Sequence, residues 1–233
     1  MRKNLLRKVR FITKYSYKTI PELLKETTCN NDELYKYLSK NVGTEAADNF
    51  VKNGKWPDGI QIPKNPSVLK ADGAINWSAA AKGGYKLDSD GNAIKTVLTD
   101  AHKVNEYLPQ GKILDRYGDS SGRYVSPVNN GVPYSYEQRS LPYIEDASNY
   151  HQYEVKGDFS RLKDYINNCS DTTLKNEIMD DIDYYYNGDF SKVVVNVGEI
   201  AKVDGWGIGE GIQYEFPIKV EYLVKLGLLK EIK

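Results

Sequence analysis

Residues 113–127 read "ILDRYGDSSGRYVSP". Two short runs suited to strands, "KILDRY" and "GRYVSP", flank the turn-forming "GDSS", which is the signature of a β-hairpin. Gly118 and Gly122 fold the stretch back on itself, so the expectation is that Arg116 and Tyr124 stand on facing strands. Side chains on one face of such a ladder are close enough to grip a ligand together. A plain connecting loop has no use for Arg116, Arg123 and Tyr124 in so short a span. The rest of the chain shows what would.

Downstream, "YHQYEV" alternates as a strand, and "KVVVNV" is a β-branched strand run. The glycine-rich "GWGIGEGIQYEF" runs from a loop into a strand, and "VEYLVKLGLLKEI" reads as a short helix followed by a strand. Between these strands lies a helical block. "DFSRLKDYINNC" starts behind Asp158 or Ser160, and "DTTLKNEIMDDIDYYYNG" follows Ser170. The first fifty residues also read as helices. "NNDELYKYLSKN" is capped by Asn30 or Asn31 with Leu34, Tyr37 and Leu38 on one face, and "GTEAADNFVKNG" runs from Thr44 to Gly54. From Trp56 to about Ile94, prolines and glycines break every period. This segment reads as ordered loop with short strands, in which Trp56 and Trp77 seek burial. The order of elements predicts an α+β fold: a small, twisted, mainly antiparallel β core with peripheral helices and an N-terminal helical segment.

Composition narrows the partners. With 233 residues, Lys+Arg 32 and Asp+Glu 32, the chain has no net charge, which argues against nucleic-acid binding. Two cysteines, Cys29 and Cys169, form no C-x-x-C pair, and two histidines make no His-rich metal site. No apolar run reaches membrane-span length, so no stable membrane insertion is expected. Seven basic residues from Arg2 to Lys18 precede the first acid at Glu22. They read as a solvated basic helix or linker, with a membrane-surface arm or a translocation segment as alternatives. Nineteen tyrosines against five phenylalanines suit clefts that stack planar ligands, unless they merely reflect compositional bias.

Candidate chemistry collects on two strands and one loop. In "GIQYEF" the period of two puts Gln213 and Glu215 on one face, with Ile212, Tyr214 and Phe216 turned to the core. The amide and carboxylate then face a cleft entered past the glycine loop. "YSYEQRSLPY" adds Arg139. Guanidinium forks and phenol rings together suit an anionic planar substrate. His151 is a candidate acid or ligand contact. "GWGIGEG" has neither a P-loop lysine nor the strand-before, helix-after context of a dinucleotide fingerprint.

Taken in order, "LDRYG…GRYVSP…GVPYSYEQRSLPY…YHQYEV…GEGIQYEF" and the closing "YLVKLGLLKEI" resemble the tuberculosis necrotizing toxin family of NAD glycohydrolases. The resemblance covers about 113–156 and 193–232. It implies a domain over 56–233 carrying a helical insertion at about 157–192, with 1–55 a basic, helical linker or adaptor. By that resemblance Arg116 and Arg139 hold the phosphates of the dinucleotide, and Tyr124 is an aromatic contact in the same cleft. Gln213 is the central catalytic residue beside the nicotinamide ribose, and His151 an orienting or proton-handling catalytic group. Glu215, from strand geometry alone, is a second carboxylate on the substrate side.

The implied reaction breaks the bond from ribose to nicotinamide, a leaving group already cationic, through an oxocarbenium-like centre. NAD+ or NADP+ is then the substrate and no cofactor is implied. The implied setting is a secreted bacterial toxin domain that acts in the cytoplasm of a target cell and is restrained by a cognate immunity protein. Alternatives are an ADP-ribosyltransferase toxin modifying a protein target, or a non-enzymatic interaction module.

Overall fold

The computed structural model describes residues 18–233, so the basic stretch before Lys18 lies outside the described residues. Helix α1 (Ile20–Glu26) leads into α2 (Asn31–Val42), where Asn30 accepts from the Glu33 amide and Glu33 returns the bond. That reciprocal cap fixes the start of α2, and Leu34, Tyr37 and Leu38 form its buried stripe. Helix α3 (Thr44–Asn53) ends at Gly54, whose φ of 65° only glycine adopts without cost. These helices share one hydrophobic cluster with Trp56, Ile62, Val68, Ile75, Ile144, Val203 and Trp206. Trp56 lies parallel to Tyr37 and edge-on to Phe50, with centroids 6.2 and 5.4 Å away.

Seven strands make one sheet. They are β1 (Thr96–Leu98), β2 (Ile113–Tyr117), β3 (Tyr124–Pro127), β4 (Tyr150–Val155), β5 (Val195–Glu199), β6 (Ile212–Glu215) and β7 (Leu229–Glu231). Their order across the sheet is β1-β5-β6-β3-β2-β4-β7, and every described pairing is antiparallel. The α+β expectation therefore holds, with the hairpin β2–β3 at the centre beside β6.

Register decides which side chains meet. Asp115 stands opposite Ser126, Tyr124 opposite Glu215, and Val125 opposite Tyr214. Alternation then puts Leu114, Val125, Tyr153, Val155, Val195, Val197 and Tyr214 on one face, where all are buried in a single core. Helices α4 (Ala101–Tyr107), α5 (Leu162–Asn167), α6 (Thr172–Tyr186) and α7 (Val220–Lys225) contribute to that core. Helix α6 is capped by Asp171 and buries Leu174, Ile178 and Ile182 at intervals of four. The other face carries Asp115, Tyr117, Tyr124, Ser126, Gln213 and Glu215.

Two expectations need correcting. Trp77 is 56% exposed, set on a short 3-10 turn, with its ring edge-on to Trp206 (centroids 5.5 Å) and to Tyr143 (6.3 Å). It is a surface residue because the segment around it borders an open cavity. Arg116 and Tyr124 do not share a face of the ladder. They differ in parity relative to the Asp115–Ser126 pair, so their Cβ atoms leave the sheet on opposite sides.

Candidate functional site

A cavity of about 520 Å³ opens over the polar face of the sheet. Its walls include Arg116, Tyr124, Arg139 and Gln213, brought together from positions nearly a hundred residues apart. Trp77, Tyr143 and Trp206 supply an aromatic wall, and Gly83 and Gly84 border Gln213. The volume lies inside the range usual for small-molecule sites, about 300–1,000 Å³.

Arg116 reaches the cavity although its Cβ starts on the core face. The β2–β3 ladder pairs only Leu114 with Pro127 and Asp115 with Ser126, so the hairpin splays beyond Asp115. Through that gap the guanidinium donates from Nε to Gly118 O at 3.2 Å and from Nη1 to Tyr124 O at 3.0 Å. Gly122 is needed here: a Cβ at that position would overlap the guanidinium. Among the described residues no carboxylate stands within ion-pair distance of Arg116, and its Nη2 has no protein acceptor. Burial lowers its pKa from the ordinary arginine value, yet a guanidinium stays charged at any physiological pH. Asp119 lines the same cavity and its charge favours the guanidinium, but it makes no direct ion pair, so Nη2 is left for an anion that enters.

Arg139 is placed differently. Its Nη2 donates to Asp115 Oδ1, its Nε donates to Tyr134 O at 2.9 Å, and its plane lies 5.1 Å from the Tyr117 ring centre. Asp115 is fully buried and also accepts from the Tyr150 hydroxyl at 2.8 Å. Burial raises the Asp115 carboxyl above its usual range, while the Arg139 charge pulls the other way. Of the two arginines expected to hold phosphate, one thus has its charge already met by the protein. Asp115 escaped sequence reading because an acid inside a strand motif looks like any surface charge.

Gln213 is 8% exposed and donates from Nε2 to Gly83 O at 2.9 Å. Gly83 lies in a run of left-handed residues, with φ of 53° at Lys82, 74° at Gly83 and 76° at Gly84. The bond orients the amide, leaving its oxygen as the uncommitted acceptor. Tyr124 lines the same cavity, and its hydroxyl donates to Glu215 Oε1 at 3.2 Å. Burial and the Glu215 charge push the phenol well above its ordinary pKa, so it remains protonated.

Glu215 and His151 stand elsewhere. Glu215 shares the polar face as the period of two requires, but it lies behind Tyr124 and does not line the cavity. His151, on β4 opposite Arg116 in register, has Nδ1 2.7 Å from Glu231 Oε1 on β7. Its side chain is one-third exposed and outside the cavity, because β4 places it on the same face as Tyr153 and Val155 at the far edge of β2. Trp77 and Gly83 were missed as site residues; the signal was a tryptophan and paired glycines inside a stretch without periodicity. Cys29 and Cys169 are both free thiols. No group of three or more His, Cys, Asp or Glu among the described residues is placed to hold a metal ion.

Fold and cavity define an α+β domain with a ligand-sized cleft on one face of its sheet, mostly apolar in its lining and carrying Arg116 and Gln213. Residues 107–170, from the end of α4 through β2, β3, β4 and α5, match the family model described as tuberculosis necrotizing toxin. Among solved structures, that of tuberculosis necrotizing toxin complexed with its immunity factor IFT is 21% identical, with a TM-score of 0.36. The match covers 62% of this chain and 60% of that one, so the chain spans less than two thirds of the matched structure. No curated protein matches the chain.

Proposed function

We propose that the domain is an NAD(P)+ glycohydrolase, the enzymatic part of a secreted bacterial toxin. The observation that carries this reading is the Arg116 guanidinium, largely buried and hydrogen-bonded only to backbone carbonyls, in one cavity with Gln213. Among the described residues the one acid lining that cavity, Asp119, senses its charge but makes no direct ion pair with it. A dinucleotide brings the missing anion as its pyrophosphate, and Arg116 Nη2 takes one of those oxygens. Anchoring there lets remote binding energy act on the ribose. Gln213, held by Gly83 O, turns its amide oxygen to the ribose hydroxyls as positive charge grows at the anomeric carbon. One preorganised contact of this kind contributes about 3 kcal/mol. Nicotinamide leaves as a neutral base, water supplies the hydroxyl, and ADP-ribose and a proton complete the balance. Tyr124 walls the cleft as a protonated phenol, and Trp77 offers a ring face at its rim. His151 and Glu215 take no direct part in this scheme.

The family match over 107–170 supports the toxin assignment, and a toxin of this activity needs a cognate immunity protein in the cell that makes it. No helix among the described residues is long and apolar enough to cross a membrane. The proposed place of action is the cytoplasm of a target cell. Incubating purified protein with NAD+ and separating the products tests the reading. Nicotinamide and ADP-ribose in equal amounts support it; labelled ADP-ribose on protein bands would make the domain a transferase instead. Intact NAD+ would refute both.

A further inference from the structure

Helix α6 ends on the back of the cavity wall. At the C-terminus of α6, the Tyr186 hydroxyl accepts from Arg123 Nη1 at 2.7 Å, and the Tyr185 ring lies 4.0 Å from the Arg123 guanidinium carbon. Arg123 Nη2 reaches Glu215 Oε1 at 3.4 Å, and that same oxygen accepts from the Tyr124 hydroxyl at 3.2 Å. The second carboxylate oxygen accepts from Asn196 Nδ2 at 3.2 Å and the Tyr85 hydroxyl at 3.5 Å, with Lys95 Nζ 3.7 Å away. Glu215 is thus engaged by five side chains in a pocket where its side chain keeps 15% of its exposure. A carboxylate so occupied has no free oxygen to offer a substrate. What it fixes is the hydroxyl end of Tyr124, whose other flank lies against Gly83.

We propose that α6 is a positioning element for the cavity, acting through the chain Tyr186–Arg123–Glu215–Tyr124. Glu215 and Arg123 are positioning residues that set where the Tyr124 ring stands, and α6 completes the site it does not touch. This rests on the NAD reading for its kinetic consequence, but not for the geometry. Arg123 and Glu215 at the centre of the network keep only 13% and 15% of their side-chain exposure, and hydrogen-bonded groups so buried couple more strongly than separate surface pairs do. Loss of one hydroxyl at the far end should therefore be felt at the near end.

A double-mutant cycle tests it, using wild type, Tyr186→Phe, Tyr124→Phe and the double variant. In NAD+ cleavage, Tyr186→Phe should lower kcat/KM about threefold to tenfold in the wild-type background. In the Tyr124→Phe background the same change should cost less than about twofold, since the hydroxyl it positions is gone. Glu215→Gln, which keeps an acceptor for Tyr124, should retain more activity than Glu215→Ala. The four cycle proteins are also unfolded in urea, where the coupling is read without substrate. Additive kinetic effects in an active enzyme overturn the proposal, as does equal loss in Glu215→Gln and Glu215→Ala. If the wild-type protein leaves NAD+ intact, the glycohydrolase reading fails and the urea cycle decides alone. Coupled shifts there uphold the chain of contacts, and additive ones overturn it.

Discussion

The Gln213 side-chain amide donates to the Gly83 carbonyl at 2.9 Å across 130 residues of sequence. One hydrogen bond therefore ties strand β6 to the glycine turn that borders the cavity, and it sets which end of the amide is free. Replacing Gln213 with Ala removes both the acceptor offered to substrate and the tie to the turn. NAD+ cleavage by Gln213→Ala should fall at least about a hundredfold, the scale of one preorganised transition-state contact. Gln213→Glu keeps an acceptor but sets a carboxylate against the Gly83 carbonyl, so it should not restore turnover. Steady-state kinetics alongside circular dichroism separates lost chemistry from lost fold.

Arg116 and Arg139 should respond differently to truncation. Arg116→Ala removes a cation that makes no direct ion pair within the protein, so KM for NAD+ should rise about tenfold or more with the fold retained. Arg139→Ala strands Asp115, which is fully buried, and should cost about 3–5 kcal/mol of stability, read in urea. Equal losses of stability in the two variants would show that the asymmetry is wrong.

His151→Ala provides a control on β4, next to the edge strand β7 and away from the cavity. Its partner Glu231 is half exposed, and surface pairs contribute at most about 1 kcal/mol. Turnover should change by less than about fivefold. A drop of a hundredfold would return His151 to the catalytic group.

The hairpin turn carries a pH dependence. The Asp119 carboxyl is held below its ordinary value, first by the Ser121 hydroxyl and then by the Ser121 amide, which donates at 2.9 Å. A carboxylate with a depressed folded pKa stabilises the fold above the unfolded value of about 3.9. That contribution fades as pH drops through the folded value. The stability difference between wild type and Asp119→Ala should therefore be full at pH 6 and vanish in strong acid, as measured by urea unfolding across pH 2–6.

Much of this was readable from residue order. The cap at Asn30, the stripe of α2 and the alternation of 212–216 all depend on local pattern, which tertiary packing here did not override; the helix expected after Ser170 is capped by Asp171. Parity within a strand was legible too, and it put Gln213 and Glu215 on one face. What local pattern cannot supply is register between strands. That is why Arg116 was expected beside Tyr124 when its Cβ lies on the opposite face, and why the burial of Asp115 went unseen. The exposure of Trp77 was equally illegible, since a large apolar ring predicts burial unless a cavity beside it is known. The occupation of Glu215 by five partners depends on contacts from four separate segments.

The arrangement of strands has a consequence for the producing cell. Gln213 sits on β6, and β6 reaches the hairpin only by pairing with β3, from Tyr124 opposite Glu215 to Val125 opposite Tyr214. A nascent polypeptide that has emerged only as far as α6 already contains Arg116, Tyr124 and Arg139 but has no amide to complete them. On the proposed reading such a chain cannot cleave NAD+ while synthesis continues, and gains that capacity only once β6 has paired with β3.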